Sequence, residues 1–155
     1  MKKLTFAILV LFLVSCNENR VVNNYEGIAE LNWERDNALS YTFDSPGEDI
    51  PYTVQIGLRH YTGIQYGDIS VNLNMVTPSG ESTDKEYIIS LRDQNGDVKG
   101  SAMGDVTDIE VPVEEGMKFD EQGTYKFKIS HTMEPEIVSG VMEVGLVIDK
   151  AAAGN

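Results

Sequence analysis

The stretch TYKFKISH, residues 124–131, decides the fold class. Tyr125, Phe127 and Ile129 share one parity, and Lys126, Lys128 and Ser130 share the other. A period of two puts the apolar set on one face of a strand and the polar set on the opposite face; a helix would scatter both around its axis. The same period recurs outward in both directions. Leu39, Tyr41 and Phe43 follow it in ALSYTF, and Val54, Ile56 and Leu58 in PYTVQIGLRH. Ile69, Val71, Leu73 and Met75 follow it in GDISVNLNMVT, and Tyr87, Ile89 and Leu91 in KEYIISLRD. Ile109, Val111 and Val113 share a face in DIEVPVEE, where Pro112 on the other parity predicts an edge strand. Met142, Val144, Leu146 and Ile148 close the series, and Gly145 among them predicts a strand partly covered on its second face.

Turn chemistry separates these runs: Asp44-Ser45-Pro46-Gly47, Thr77-Pro78-Ser79-Gly80, Asn95-Gly96 and Glu121-Gln122-Gly123. Half-buried strands at such spacing predict an all-β chain, a two-sheet antiparallel β-sandwich of seven or eight strands. The pattern does not separate a jelly-roll from an immunoglobulin-like order. The expected domain runs over 28–150, beginning with IAELNWERD as one helical turn or an irregular lead-in that carries the sole Trp33. Residues 151–155, AAAGN, read as a flexible tail.

Ahead of the domain, Lys2 and Lys3 precede the apolar run Leu4–Val14 and then Ser15. A charged start, a short apolar segment and a small residue are the parts of an export signal. The run has eleven residues. As a helix it would span roughly 16 Å, about half of a hydrocarbon core near 30 Å, so it is too short for a permanent anchor. Leu13-Val14-Ser15-Cys16 resembles the lipobox of bacterial lipoproteins. That resemblance implies a signal peptide over 1–15, a diacylglyceryl thioether on Cys16 and an acylated new amino terminus. Residues 16–27 then read as a lipidated tether, polar and rich in asparagine. One acyl chain binds a membrane marginally, whereas two or three hold a protein there. Asn17 follows the cysteine, so the aspartate that retains some lipoproteins at the inner membrane is absent. The expected location is the outer membrane, with the domain facing the periplasm or the cell surface.

Cys16 is the single cysteine, so no intrachain disulfide can form and packing must stabilise the domain. The chain has 12 basic and 25 acidic residues, a formal charge of −13. Such an acidic surface argues against nucleic acid and against anionic headgroups as partners.

Few residues propose chemistry. His60 follows Val54, Ile56 and Leu58 at their parity, and His131 follows Ile129. Each could line a pocket or hold a metal, or cap the core with a backbone hydrogen bond. No second ligand stands at i+2 or i+4, which favours the cap. Asp93, Asn95 and Asp97 alternate as in a calcium loop, yet an EF-hand needs glycine at position 6 and glutamate at 12, where Val98 and Gly104 stand. The plainer reading is a hairpin with Asn95-Gly96 in a type I′ turn. Tyr61 and Tyr66, with Tyr52, surround HYTGIQYGD and propose either a sugar-stacking platform or aromatics that cover core edges. No nucleophile elbow, phosphate loop or HExxH is present, so neither an enzyme, a cofactor nor a bound metal is expected.

Longer segments carry a family resemblance. FDEQGTYKFKISHTM (119–133) is similar to the Phe-x-x-x-Gly-x-Tyr-x-Phe segment, followed by Met, of the GldH-type gliding-motility lipoproteins of the Bacteroidota. VSGVMEVGLVIDK (138–150) resembles the close of that family, and TPSG (77–80) and DQNGDVKG (93–100) resemble its loops, as does NNYEGI with the following Trp33. The chain departs from the pattern at Glu134, where the family often has Arg, at Lys99 in place of a Trp, and in the turn GIQYGD. The resemblance implies an envelope lipoprotein, attached to the membrane by its lipid, that works beside the adhesin-moving machinery and the linked type 9 secretion system. It brings no catalytic residue and no cofactor. The competing reading is a glycan-binding envelope lipoprotein, with the tyrosines as its platform.

Overall fold

A computed structural model describes residues 19–151. The expected signal peptide, Cys16, the first residues of the expected tether and the last four of the tail lie outside that range.

Among the described residues eleven strands form, all paired antiparallel. The first is β1 (Arg20–Gly27), followed by a short 3-10 turn (Ala29–Leu31) and β2 (Asn32–Glu34). Then come β3 (Leu39–Pro46), β4 (Pro51–Tyr61), β5 (Asp68–Val76) and β6 (Ser82–Ser90). The chain continues through β7 (Ser101–Met103), β8 (Val106–Lys118), β9 (Gln122–His131), β10 (Ile137–Ser139) and β11 (Val141–Lys150). A five-stranded sheet has the order β1-β11-β4-β8-β7, a four-stranded sheet the order β3-β9-β5-β6, and β10 pairs with β2 in a sheet of two. Among the described residues no helix is long and apolar enough to cross a membrane.

The expectation of seven or eight strands in two sheets is thus corrected to eleven strands in three. β2, β7 and β10 have three residues each, too few for a period of two to register. β1 was expected as tether. It instead pairs with β11 from Arg20 to Gly27, and only Val22 among its residues is buried, so the sequence offers no apolar row there.

The two large sheets face each other through the predicted rows. Val54, Ile56, Leu58, Val144, Leu146 and Ile148 line one inner face; Tyr41, Phe43, Ile69, Val71, Phe127 and Ile129 line the other, and all are buried. The Tyr41 hydroxyl donates to the Val144 carbonyl at 2.7 Å, a polar tie between sheets. Each end of the sandwich has an aromatic plug. Phe119, between β8 and β9, is fully buried with its ring 4.8 to 5.3 Å from those of Tyr125, Phe43 and Tyr52. At the opposite end, the β2–β10 pair brings in Trp33, also fully buried.

Pro112 was expected on an edge strand. β8 lies second in its sheet, but β7 pairs only with Val106–Asp108, so the rest of that side of β8 carries no partner strand. The β4–β8 register slips between Val54 and Gln55, opposite Pro112 and Glu114, and a bulge tolerates the missing N–H.

Candidate functional site

The sequence-predicted residues divide between interior and surface. His60 is fully buried on the inner face of β4, where its Nδ1–H donates to the Tyr61 carbonyl at 2.9 Å. His131 is buried on the inner face of β9. Its Nε2–H donates to the Trp33 carbonyl at 3.1 Å, and its ring meets the indole edge-on at 5.3 Å. Among the described residues no group of three or more His, Cys, Asp and Glu side chains could hold a metal ion.

Tyr61 lies on the outer face of β4, 44% exposed, against Gly63, whose absent Cβ would stand 2.5 Å from its ring. Tyr66 is half-buried against the core. Tyr52 sits at the far end of β4, 1% exposed within the Phe119 cluster, so it does not join the other two. The Asn95-Gly96 turn differs from the expected type I′, since Gly96 has φ 87° and Asn95 is not at positive φ. The amide of Gly96 bonds to the Asp93 carbonyl, and the Asp93 carboxylate accepts the amides of Asn95 at 2.8 Å and Asp97 at 2.9 Å. The loop therefore satisfies its own backbone through one oxygen of Asp93, as an Asx turn does.

On the outer face of the five-stranded sheet, Gly145 marked β11 as covered, but sequence reasoning missed what covers it. Gly57 and Gly145 are cross-strand neighbours on β4 and β11, and the Tyr25 ring from β1 lies over both. A Cβ at Gly145 would come within 2.5 Å of that ring. The Tyr25 hydroxyl donates to Glu110 on β8 at 3.1 Å, so one side chain from an edge strand reaches across two others. Burial and the adjacent Glu110 hold its phenol well above the usual range, which keeps it a neutral donor. On one side of Tyr25, Arg20 bridges Glu110 at 2.7 Å and Asp149 at 3.1 Å. On the other, Arg59 bridges Asp108 at 2.7 Å and Glu143 at 2.8 Å. These surface pairs, two of them part-buried, contribute about 0–1 kcal/mol each, so they order the face more than they stabilise it. Gly57 was the unused signal beside Gly145, because glycine inside a strand marks close approach of another group.

A second feature lies between the open edges of β6 and β8. Val54, Leu73, Met75, Met117 and Phe127 line an apolar slot, into which Glu114 turns. It receives Lys85 Nζ at 2.6 Å and the Tyr87 hydroxyl. Charged side chains turned inward at open edges discourage strand addition.

Among the described residues two groups make stability depend on pH on the acid side. Hydrogen bonds from Lys85 and Tyr87 hold the Glu114 carboxyl below its ordinary value, while burial lowers the His131 pKa. Both depressed values carry the same sign: stability is complete above the unfolded pKa and is lost as pH falls through the folded one. Urea titrations are expected to show a first decline below about pH 6.5 from His131 and a further one below about pH 4.5 from Glu114. His131→Gln should flatten the first stage and Glu114→Gln the second. Unchanged profiles in both variants would refute the assignment.

Comparison with known proteins follows the same extent. The model of the GldH lipoprotein family matches residues 20–148. The gliding motility lipoprotein GldH homolog of Christiangramia forsetii is 26% identical over 153 residues, covering 94% of this chain and 93% of that protein. Among solved structures, a non-crystalline cellulose specific carbohydrate-binding module, CBM28, overlays with a TM-score of 0.43 at 14% identity, over 85% of this chain and 73% of its own. TmCBM61, solved with β-1,4-galactotriose, gives 0.33 at 11% identity, over 84% and 88%. Overlaps this distant carry no argument about function.

Proposed function

The chain belongs to the GldH lipoprotein family, and on that premise we propose that it is a lipid-anchored accessory protein acting by contact with the motility and type 9 secretion-linked machinery. Membership gives it an envelope, motility-linked lipoprotein role and sets it apart from enzymes. The observation that carries the reading is the extent of the match, which begins at the first residue of β1 and ends within β11. The whole sandwich, rather than one loop, is what the family shares. The eight long strands, β1-β11-β4-β8 facing β3-β9-β5-β6, read as a jelly roll. The anchor is a thioether lipid on Cys16, and the membrane is the outer one.

Two results test this. Cys16→Ser is expected to abolish radioactive palmitate incorporation and to move the protein from the membrane to the soluble fraction. A deletion strain is expected to lose spreading and adhesin display, and normal spreading would refute the motility role. The second reading, glycan capture, is favoured by the exposed Tyr61 ring with Tyr66 downstream in the same loop. A saturable sugar isotherm lost in Tyr61→Ala would replace contact with protein by contact with glycan.

A further inference from the structure

We propose that the exposed apolar row Leu31–Tyr61–Met103, at the Trp33 end of the five-stranded sheet, docks a protein partner that presents an apolar centre ringed by lysine and arginine. The proposal rests on the contact-based role above and names the surface for it.

The row follows from register. Met103 pairs with Val106, and Val106 pairs with Tyr61. The Tyr61 amide donates to the Gly140 carbonyl at 2.8 Å, and the Gly140 amide donates to the Leu31 carbonyl at 2.7 Å. Five chain segments therefore lie side by side across one rim. Met103 is 85% exposed, Tyr61 44% and Leu31 41%, whereas the apolar rows below them are buried. Aromatic and methionine side chains exposed together are the composition of an interface centre.

Backbone conformation singles out the same rim. Glu30 (φ 53°) and Leu31 (φ 59°) are consecutive non-glycine residues in the left-handed region. That conformation is unfavourable by about 1–2 kcal/mol per residue, and such strain concentrates at functional sites. The fold thus maintains a strained turn whose second residue is a half-exposed leucine.

Charge defines the occupant. Glu30 and Asp105 are exposed beside Leu31 and Met103, and Asp108 and Glu143 lie one step further along the sheet. Arg59, the cation within that acidic set, is held between Asp108 and Glu143, and Arg92, which bonds to the Ile64 carbonyl in the loop after Tyr61, leaves the rim acidic on balance. A partner with cationic groups around an apolar centre complements this rim; an acidic one is repelled.

The anchor turns the rim outward. Cys16 precedes Arg20 by four residues, which reach at most about 14 Å. The Arg20 end of β1 is the Phe119 end of the sandwich. That end therefore stays beside the bilayer, and strands of about ten residues lift the opposite rim roughly 30 Å away.

The test uses the full-length lipidated chain in cells of the deletion strain. A benzophenone amino acid is placed at position 61 or 103 on the rim, or at Ile88, which is 68% exposed on the other sheet. Positions 61 and 103 are expected to crosslink to one envelope protein, at a segment with excess Lys and Arg, and position 88 is not. Leu31→Lys with Met103→Lys should keep palmitate labelling and the melting temperature, yet lower the crosslink from position 61 roughly tenfold or more. Met103→Lys alone, at a position with no packing to lose, gives the same reading if the Leu31 change unfolds the turn. Equal crosslinking from position 88, an acidic or non-protein adduct, or undiminished crosslinking in both variants would overturn the proposal. Failure of the motility role appears separately, as normal spreading of the deletion strain.

Discussion

Phe119→Ala is expected to destabilise the domain by about 3–5 kcal/mol, the range for truncating a fully buried aromatic. The side chain stands where β8 turns into β9 and touches both sheets through rings. Phe43 and Tyr125 come from the four-stranded sheet and Tyr52 from the five-stranded one, all edge-on. Edge-on pairs contribute roughly 0.5–1.5 kcal/mol each beyond burial. The cavity cannot collapse easily, because Tyr52, Phe43 and Tyr125 belong to three different strands held by their own ladders. The Phe119 carbonyl would still accept the Ser45 hydroxyl at 2.8 Å, so the loss isolates packing from hydrogen bonding. Domains of this size have total stabilities of about 5–15 kcal/mol. The melting temperature should therefore fall by roughly 10–20 °C. Phe119→Leu, which keeps most of the volume, should lose less than half as much. A change below about 1 kcal/mol for the alanine variant in urea unfolding would show that this end is not a plug.

Trp33→Ala is expected to have a similar magnitude, about 3–5 kcal/mol, with a different distribution. Trp33 is held in a strand of three residues, so its ring rather than its ladder fastens the β2–β10 pair to the sandwich. Truncation removes the bond from its Nε1–H to the Asn37 carbonyl at 3.0 Å and the edge contact with His131. The bond from the His131 Nε2–H to the Trp33 carbonyl has no fixed support once the indole is gone. Hydrogen exchange should accelerate first over residues 28–38 and 131–141, before the large sheets open. Trp33→Phe should restore most of the packing but not the Asn37 bond, for a loss of about 1–2 kcal/mol. Uniform acceleration across the whole domain would argue that the small sheet is not a separate unit. Because Leu31 lies two residues before Trp33, rim crosslinking should weaken in the alanine variant even where the large sheets persist.

The two plugs differ in how visible they were. Trp33 is the sole tryptophan, but the composition of its segment points to a helical turn or lead-in rather than to a strand. Phe119 sits in KFDEQG, between two strands, where no period exists. A plug residue fills the space left where strands stop, and its role depends on what converges there from distant parts of the chain. The histidines show the opposite case. His60 and His131 continue apolar rows, and parity alone predicted that they would lean inward, where the structure places them. Tyr52, Tyr61 and Tyr66 are near one another in sequence. Strand geometry separates the first from the others, since about nine residues of β-strand cover roughly 30 Å.

By itself the sequence determined which residues face the core of the long strands, because the period of two is written into each strand and burial of one face enforces it. It also determined the acidic character, the absence of an intrachain disulfide and the family resemblance. Only the tertiary structure decided the order of strands in the sheets, the membership of β1, and the third small sheet. It alone placed Tyr25 across Gly57 and Gly145, and Leu31, Tyr61 and Met103 on one rim. The physical reason is range. A strand's facing is set by neighbours two residues away, whereas a rim or a glycine window is assembled from segments up to 120 positions apart, such as Tyr25 and Gly145. Nothing local in the sequence encodes that juxtaposition.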